Sequence, residues 1–76
     1  MYQNRLRDLR EDKDLKQKDL ADYLTIHQTT YSDYELERVN IPLPALHKLA
    51  DFYGVSVDYL LGRTDLPTPY PKKQPK

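Results

Sequence analysis

Residues 17–35 read QKDLADYLTIHQTTYSDYE, and this stretch decides the fold. Its apolar residues recur at helical spacing in two groups, Leu20, Ala21 and Leu24, then Tyr31 and Tyr34. This spacing predicts two short helices, over about residues 17–24 and 28–37, joined by a link of three or four residues. So short a link sets the helices at a steep angle, and the small side chain of Ala21 lets them cross closely.

The outer side of the second of these helices carries short polar side chains instead of lysine and glutamate. If the core takes Leu20, Leu24, Ile26, Tyr31 and Tyr34, the outer face consists of Gln28, Thr29, Ser32 and Asp33. Such side chains suit the major groove of DNA, where glutamine pairs with adenine, hydroxyls bond either way and a carboxylate accepts from cytosine N4. Long lysines would bind phosphate without discriminating bases. We therefore interpret these four residues as candidate base readers.

Three further helices are predicted in the rest of the chain, so the expected fold class is all-α. The first covers about residues 2–11, the fourth begins at Pro44 and is closed by Gly54, and the fifth is capped by Ser56 and ended by Gly62. No stretch shows the alternation of a strand. The expected architecture is a compact bundle of five helices.

Composition restricts the class of protein further. The chain has 76 residues and no cysteine, which predicts one domain without disulfides. We expect that domain over residues 1–66, followed at 67–76 by a flexible tail rich in proline and lysine. The charged start and the lack of a long apolar run predict a soluble cytoplasmic protein with no membrane partner.

The charges are segregated, although their formal sum is zero. Residues 1–66 hold nine basic against twelve acidic side chains, so an anion-binding face has to come from local clusters. We expect phosphate contacts from seven residues: Lys13, Lys16, Lys18, His27, Thr30, Arg38 and Asn40. A merely solvated surface is the alternative for these charges.

Two longer stretches carry a family resemblance over about residues 4–65. KQKDLADYLTIHQTTYSDYE places five residues at a familiar motif's usual positions: Gln17, Ala21, Gln28, Tyr34 and Glu35. IPLPALHKLADFYGVSVDYLLGRTD looks like the last two helices of small bacterial members of the same family. The sequence thus resembles the Cro/repressor-type (XRE-type) helix-turn-helix family, which implies a lambda-repressor-like DNA-binding domain.

The resemblance also implies roles for individual residues. Gln17 would contact a phosphate and buttress Gln28, and Gln28 would be the leading base reader. Arg10 and Glu35 look like the ion pair that orients the recognition helix; an incidental surface pair is the alternative.

This chain departs from the family pattern at four positions. Thr25 stands where the turn usually has glycine, so either a threonine accepts a positive φ or the turn differs. Lys16 and His27 stand at helix starts that usually carry serine or threonine. Our hypothesis is that these two side chains contact phosphate instead of capping the helices. Glu37 replaces the glycine that commonly follows the third helix. Packing therefore has to compensate for weakly encoded helix ends.

These patterns together predict a sequence-specific, double-stranded DNA-binding transcriptional regulator, a repressor rather than an activator. One recognition helix reads few base pairs, so we expect a homodimer on a near-palindromic operator. The candidate dimer interface consists of Tyr53, Val57, Tyr59 and Leu60, with burial in the core as the alternative for each. The rival interpretation is a protein-interaction module or antitoxin of the same fold. We expect no cofactor, no metal at His27 or His47 and no catalytic arrangement, hence no enzyme.

Overall fold

The computed structural model describes residues 4–68, and these residues form five helices and no strand. The helices are α1 (Leu6–Asp12), α2 (Gln17–Leu24), α3 (Gln28–Glu35), α4 (Leu43–Tyr53) and α5 (Val57–Leu60). Helix α3 packs against α1 and α2, and α5 packs against α4. The all-α, five-helix expectation is confirmed.

One core joins all five helices. Its largest fully buried side chains are Leu6, Leu20, Tyr31, Leu49 and Leu60. Ala21 is buried on the side of α2 that meets α3, as the close crossing requires. The rings of Tyr31 and Tyr34 meet edge to face with centroids 6.4 Å apart, so one side of α3 is fixed inward.

The helices begin close to their predicted positions, with two corrections. Helix α1 begins only at Leu6, because the Asn4 side chain accepts a hydrogen bond from the Leu6 N–H and holds a turn there (3.2 Å). Residues 2 and 3 of the predicted helix lie outside the described residues. Helix α4 begins at Leu43 with Pro44 in its first turn, since the Pro42 carbonyl already accepts from Leu46. Ser56 caps α5 as expected, its hydroxyl accepting from the Tyr59 N–H (3.0 Å).

All five helices end in the same backbone motif. A residue in the left-handed conformation follows the helix, and its N–H and the N–H of the next residue donate to carbonyls in the last helical turn. The left-handed residues are Asp14, Thr25, Glu37, Gly54 and Gly62. At Thr25 the φ angle is +59°, and the N–H of Ile26 donates to the Ala21 carbonyl. A threonine therefore does take the conformation for which glycine is usual. Glu37, at φ +60°, ends α3 at Glu35 rather than at the predicted residue 37.

Replacing Thr25 with glycine is expected to raise the free energy of unfolding by about 0.5–1 kcal/mol. A side chain in the left-handed region destabilises the fold by about 1–2 kcal/mol, and glycine removes that strain. About half of this gain is lost, because glycine has more conformational entropy in the unfolded chain. Urea denaturation would measure the change. Thr25→Ala, which keeps a Cβ, is the control and should gain less; a loss of stability in Thr25→Gly would contradict the strain.

A second set of contacts ties the first described residues to the end of the domain. The Arg5 guanidinium donates to the carbonyls of Tyr59 and Thr64, both at 2.7 Å, and lies 4.1 Å from the centre of the Tyr59 ring. It also pairs with Asp65 at 2.8 Å. Because these contacts join residues far apart in sequence, we call them the Arg5 clamp.

The predicted boundary of the tail falls in a segment that returns to the domain. The Pro67 carbonyl accepts a hydrogen bond from the Ser56 N–H at 3.2 Å. Residues 69–76 of the predicted tail lie outside the described residues, and the division at residue 66 stays a prediction.

Candidate nucleic-acid interface

The outward side of α3 is an open polar groove. Gln28 and Thr29 are exposed, and Ser32 is half-buried beside them. Together with Gln17 at the start of α2, they line a groove of about 340 Å³. The structure thus brings these predicted side chains onto one surface.

Asp33 continues the same side of the helix one turn beyond Thr29. It is half-buried, and its carboxylate lies 3.9 Å from the Arg38 guanidinium. The four candidate base readers therefore share one face of α3, with amide and hydroxyl groups at the N-terminal end and a carboxylate nearer the C-terminal end.

A buried ion pair fixes this helix against α1. Arg10 Nε donates to Glu35 Oε2 at 2.7 Å, and Arg10 Nη2 donates to Glu35 Oε1 at 3.2 Å. The Arg10 side chain is 13% exposed and that of Glu35 is 3% exposed, so solvent screens the pair little. Arg10 Nη1 also donates to the Leu15 carbonyl at 2.9 Å. The pair is therefore a structural bond between helices and not an incidental surface contact.

Gln17 belongs to this network. Its amide nitrogen donates to Glu35 Oε1 at 3.2 Å, so Glu35 holds this side chain at the groove that Gln28 also lines. Hydrogen bonds therefore run from Arg10 through Glu35 to Gln17 at the groove, and the buttress between Gln17 and Gln28 that the resemblance implied stays a prediction.

Charge and burial set the protonation of the groups in this network. Burial alone raises the pKa of Glu35, but the hydrogen bonds from Arg10 and Gln17 outweigh it, and the pKa lies below its usual range. The same hydrogen bond raises the pKa of Arg10. Within residues 4–68 the buried hydroxyls of Tyr31 and Tyr53 reach no hydrogen-bonding geometry. Burial raises the pKa of Tyr53 to about 12 and that of Tyr31 further, and the Glu35 charge adds to both shifts through space.

Stability should fall in acid because the pKa of Glu35 is depressed in the folded state. This contribution is fully present above the unfolded pKa of about 4.3 and is lost as the pH falls through the lower folded pKa. Denaturant titrations between pH 7 and pH 2 would show the decline. In Glu35→Gln, which cannot ionise, the decline should be shallower; an unchanged profile would contradict this assignment.

The candidate phosphate contacts differ in their exposure to solvent. Six of them are exposed: Lys13, Lys16, Lys18, His27, Arg38 and Asn40. Gln17 and Thr30 are half-buried. Neither Lys16 nor His27 makes a side-chain cap bond to the described backbone, which leaves both side chains at the surface. At α2 the cap runs the other way, since Asp19 accepts from the Lys16 N–H at 2.9 Å.

A family comparison decides the classification of this arrangement. The sequence model of the family described as helix-turn-helix matches residues 6–60, which include all five helices. The chain belongs to the helix-turn-helix family. The helix-turn-helix unit of the family consists here of α2, the link at residues 25–27 and α3. Helix α3 occupies the place of the recognition helix.

Curated relatives of this helix-turn-helix protein come from bacteria and their phages. It is 46% identical over 69 residues to an uncharacterized HTH-type transcriptional regulator, YobD, of Bacillus subtilis, covering 91% of this chain and 62% of the relative. It is 34% identical over 65 residues to RstR, the cryptic phage CTXphi transcriptional repressor of Vibrio cholerae, covering 86% and 59%. The chain thus spans about three fifths of these relatives. No solved structure gives a significant match.

The predicted dimer interface of the helix-turn-helix domain needs one correction. Leu60 is fully buried in the core, so its side chain cannot form part of a surface. Val57 and Tyr59 are half-buried, and the Tyr59 ring lies beneath Arg5. Tyr53 is half-buried with its hydroxyl inside. Three candidates remain: Tyr53, Val57 and Tyr59.

Two features escaped the sequence interpretation. Asn4 donates to the Tyr34 carbonyl at 2.9 Å and so holds the end of the recognition helix. Exposed apolar side chains lie along the segment from the end of α3 to the first residue of α4: Leu36, Val39 and Leu43. No periodic pattern in the sequence indicates the role of Asn4. The exposed apolar residues could have been predicted, because they lie next to a loop that contains proline. In the described part of the chain no helix is long and apolar enough to cross a membrane.

Proposed function

We propose that this chain binds double-stranded DNA through the outer face of α3 and serves as a transcriptional regulator, a repressor acting as a homodimer. The observation that carries the proposal is the exposed pair Gln28 and Thr29 on a helix whose other side is held inward by Tyr31 and Tyr34. The names of the relatives YobD and RstR support regulation and repression. Since the chain spans only part of them, the activity of the whole protein belongs to the proposal. Its function is binding, not catalysis, in the cytoplasm of a bacterial cell.

The chemistry of the groove suits base edges. The Gln28 amide can donate to and accept from adenine in two parallel hydrogen bonds, and a threonine methyl can contact the thymine methyl. Glu35 holds Gln17 at the rim of the same groove, where its remaining amide atoms can reach a phosphate. A helix fixed by a buried ion pair presents these groups in one orientation, which reduces the entropy lost on binding.

Basic side chains supply affinity without sequence preference. Lys16 and Lys18 flank Gln17 at the start of α2, and Arg38 follows α3, where Asn40 adds an uncharged amide. Each phosphate neutralised releases counterions, so affinity should fall steeply with salt. This division of labour gives two kinds of residue that mutation can separate.

The small size of the reading surface supports a homodimer. Helix α3 has eight residues, and one such helix contacts only a few base pairs. Two copies related by a twofold axis would read a near-palindromic operator with half-sites about one helical turn apart. Tyr53, Val57 and Tyr59 are the proposed interface. Sedimentation-equilibrium ultracentrifugation, with and without the operator, would measure the association of the two copies.

Selection of bound sequences from random duplex DNA tests the proposal directly. We expect an inverted repeat to be enriched, and its affinity to fall linearly with the logarithm of salt concentration. Retention of no duplex even in low salt would overturn the DNA-binding function. A single unrepeated site would instead contradict the homodimer.

Gln28→Ala is expected to weaken binding to the selected sequence by about 1–3 kcal/mol and to relax preference at one position in each half-site. Lys18→Ala should weaken binding to all duplexes alike and reduce the salt slope by about one. Fluorescence anisotropy on the selected and a scrambled duplex measures both. If the two variants behave identically, base reading and phosphate anchoring are not divided as proposed.

The rival is a protein-interaction module or antitoxin of the same fold. The exposed apolar residues Leu36, Val39 and Leu43 favour it, as does the excess of acidic over basic side chains in residues 1–66. Leu43 begins α4 and does not line the groove of Gln17, Gln28, Thr29 and Ser32, so a Leu43→Ser variant distinguishes the two functions. It should leave operator binding unchanged if DNA is the partner read by α3.

A further inference from the structure

An acidic side chain on a surface that approaches DNA needs an explanation. Three carboxylates belong to α3 or the residues that close it: Asp33, Glu35 and Glu37. Glu35 is turned inward and neutralised by Arg10. Glu37 accepts a hydrogen bond from the backbone N–H of Asn4 at 3.1 Å. Asp33 is thus the one of these three that shares the face of Gln28 and Thr29.

Within residues 4–68, the charged contact of the Asp33 carboxylate is weak. Arg38 approaches only to 3.9 Å, and the side chains of Asp33 and Arg38 are 35% and 70% exposed. An exposed pair of this length leaves most of the negative charge of Asp33 effective at the surface. Any duplex that enters the groove therefore meets a carboxylate close to its own phosphates, which is unfavourable for every sequence.

Only some base pairs can offset this repulsion. In the major groove a carboxylate needs a donor, and the amino group at cytosine N4 supplies one without an acceptor on the same base edge. A thymine O4 or a guanine O6 at that place adds a second repulsion. Resting on the proposed DNA binding, we infer that Asp33 determines specificity by exclusion: it weakens binding to all duplexes except those that present cytosine N4 to it.

Arg38 sets the strength of this exclusion. Its guanidinium lies 3.9 Å from the Asp33 carboxylate and is the more exposed of the two groups, so it neutralises part of the negative charge. Removing Arg38 should therefore lower the affinity for scrambled DNA more in the presence of Asp33 than in its absence. The two residues act as a coupled pair, and a double-mutant cycle measures the coupling.

The test compares Asp33→Asn with Asp51→Asn, which removes the same charge from an exposed position on α4. We expect Asp33→Asn to raise the affinity for a scrambled duplex about threefold to tenfold, as expected for one charge near a phosphate. The ratio of selected to scrambled affinity should fall by at least that factor, and the preference for cytosine at one position in each half-site should disappear on repeated selection. Asp51→Asn should change both affinities less than twofold.

Each other outcome has a defined meaning. If the two variants raise the scrambled affinity equally, net charge accounts for the effect and the inference is overturned. It is also overturned if Asp33→Asn binds every duplex more weakly while its circular dichroism and melting temperature match the unsubstituted protein. If the unsubstituted protein binds no duplex at all, the proposed function itself is wrong, which is a separate result.

Discussion

Replacing Glu35 with alanine is expected to lower the free energy of unfolding by about 3–5 kcal/mol, because the Arg10 guanidinium would stay buried without its partner. The two side chains are 13% and 3% exposed and share two hydrogen bonds, so water cannot easily replace the lost carboxylate. Gln17 would lose its partner as well. For a small domain this is a large part of the total stability. Urea denaturation followed by circular dichroism measures it.

The chain contains a matched control for this prediction. Arg7 and Glu11 form another arginine–glutamate pair on α1, at 3.4 Å, with side chains 71% and 52% exposed. Because that pair is solvated, Glu11→Ala should cost less than about 0.5 kcal/mol. The double variant Arg10→Met, Glu35→Leu should recover most of the loss, since it removes both buried charges. Equal losses in Glu35→Ala and Glu11→Ala would show that burial does not control the effect.

Arg5→Ala is expected to lower the free energy of unfolding by about 2–4 kcal/mol. It removes two charged hydrogen bonds to carbonyls and the contact with the Tyr59 ring, and those carbonyls are only partly reachable by water. Thermal unfolding followed by circular dichroism measures the loss. Arg5→Lys should be intermediate, because a lysine keeps the charge but loses the planar guanidinium over the Tyr59 ring and the second nitrogen that pairs with Asp65.

Asp65→Ala separates the carbonyl contacts from the ion pair. The Asp65 side chain is fully exposed, so its bond to Arg5 should contribute little and the melting temperature should barely move. A loss in Asp65→Ala as large as that in Arg5→Ala would mean that the ion pair, and not the carbonyls, holds the clamp.

The helix-turn-helix unit was predictable because its determinants are local. The spacing of Leu20, Leu24, Tyr31 and Tyr34 fixes which sides of α2 and α3 turn inward, and the polar face follows by elimination. The predicted end of α3 was two residues too late, because Glu37 adopts the left-handed conformation that is usual for glycine.

The tertiary links were not predictable in the same way. Arg5 contacts residues that are more than fifty positions away, and nothing in its neighbours Asn4 and Leu6 indicates that partner. The hydrogen bond from Gln17 to Glu35 was likewise not predicted, because helical spacing does not show which side chain Gln17 meets. It depends on the three-dimensional position of Glu35, which Arg10 binds.

The Arg5 clamp also bears on the order in which the chain folds. Arg5 and Asp65 are 60 residues apart, whereas α2 and α3 are separated by only residues 25–27. Closing the short link loses far less chain entropy, so the helical pair should form early and the clamp late. Weakening a late contact accelerates unfolding and hardly slows folding, and stopped-flow measurements on Arg5→Ala should show the change in the unfolding rate. A comparable drop in the folding rate would place the clamp in the folding nucleus instead.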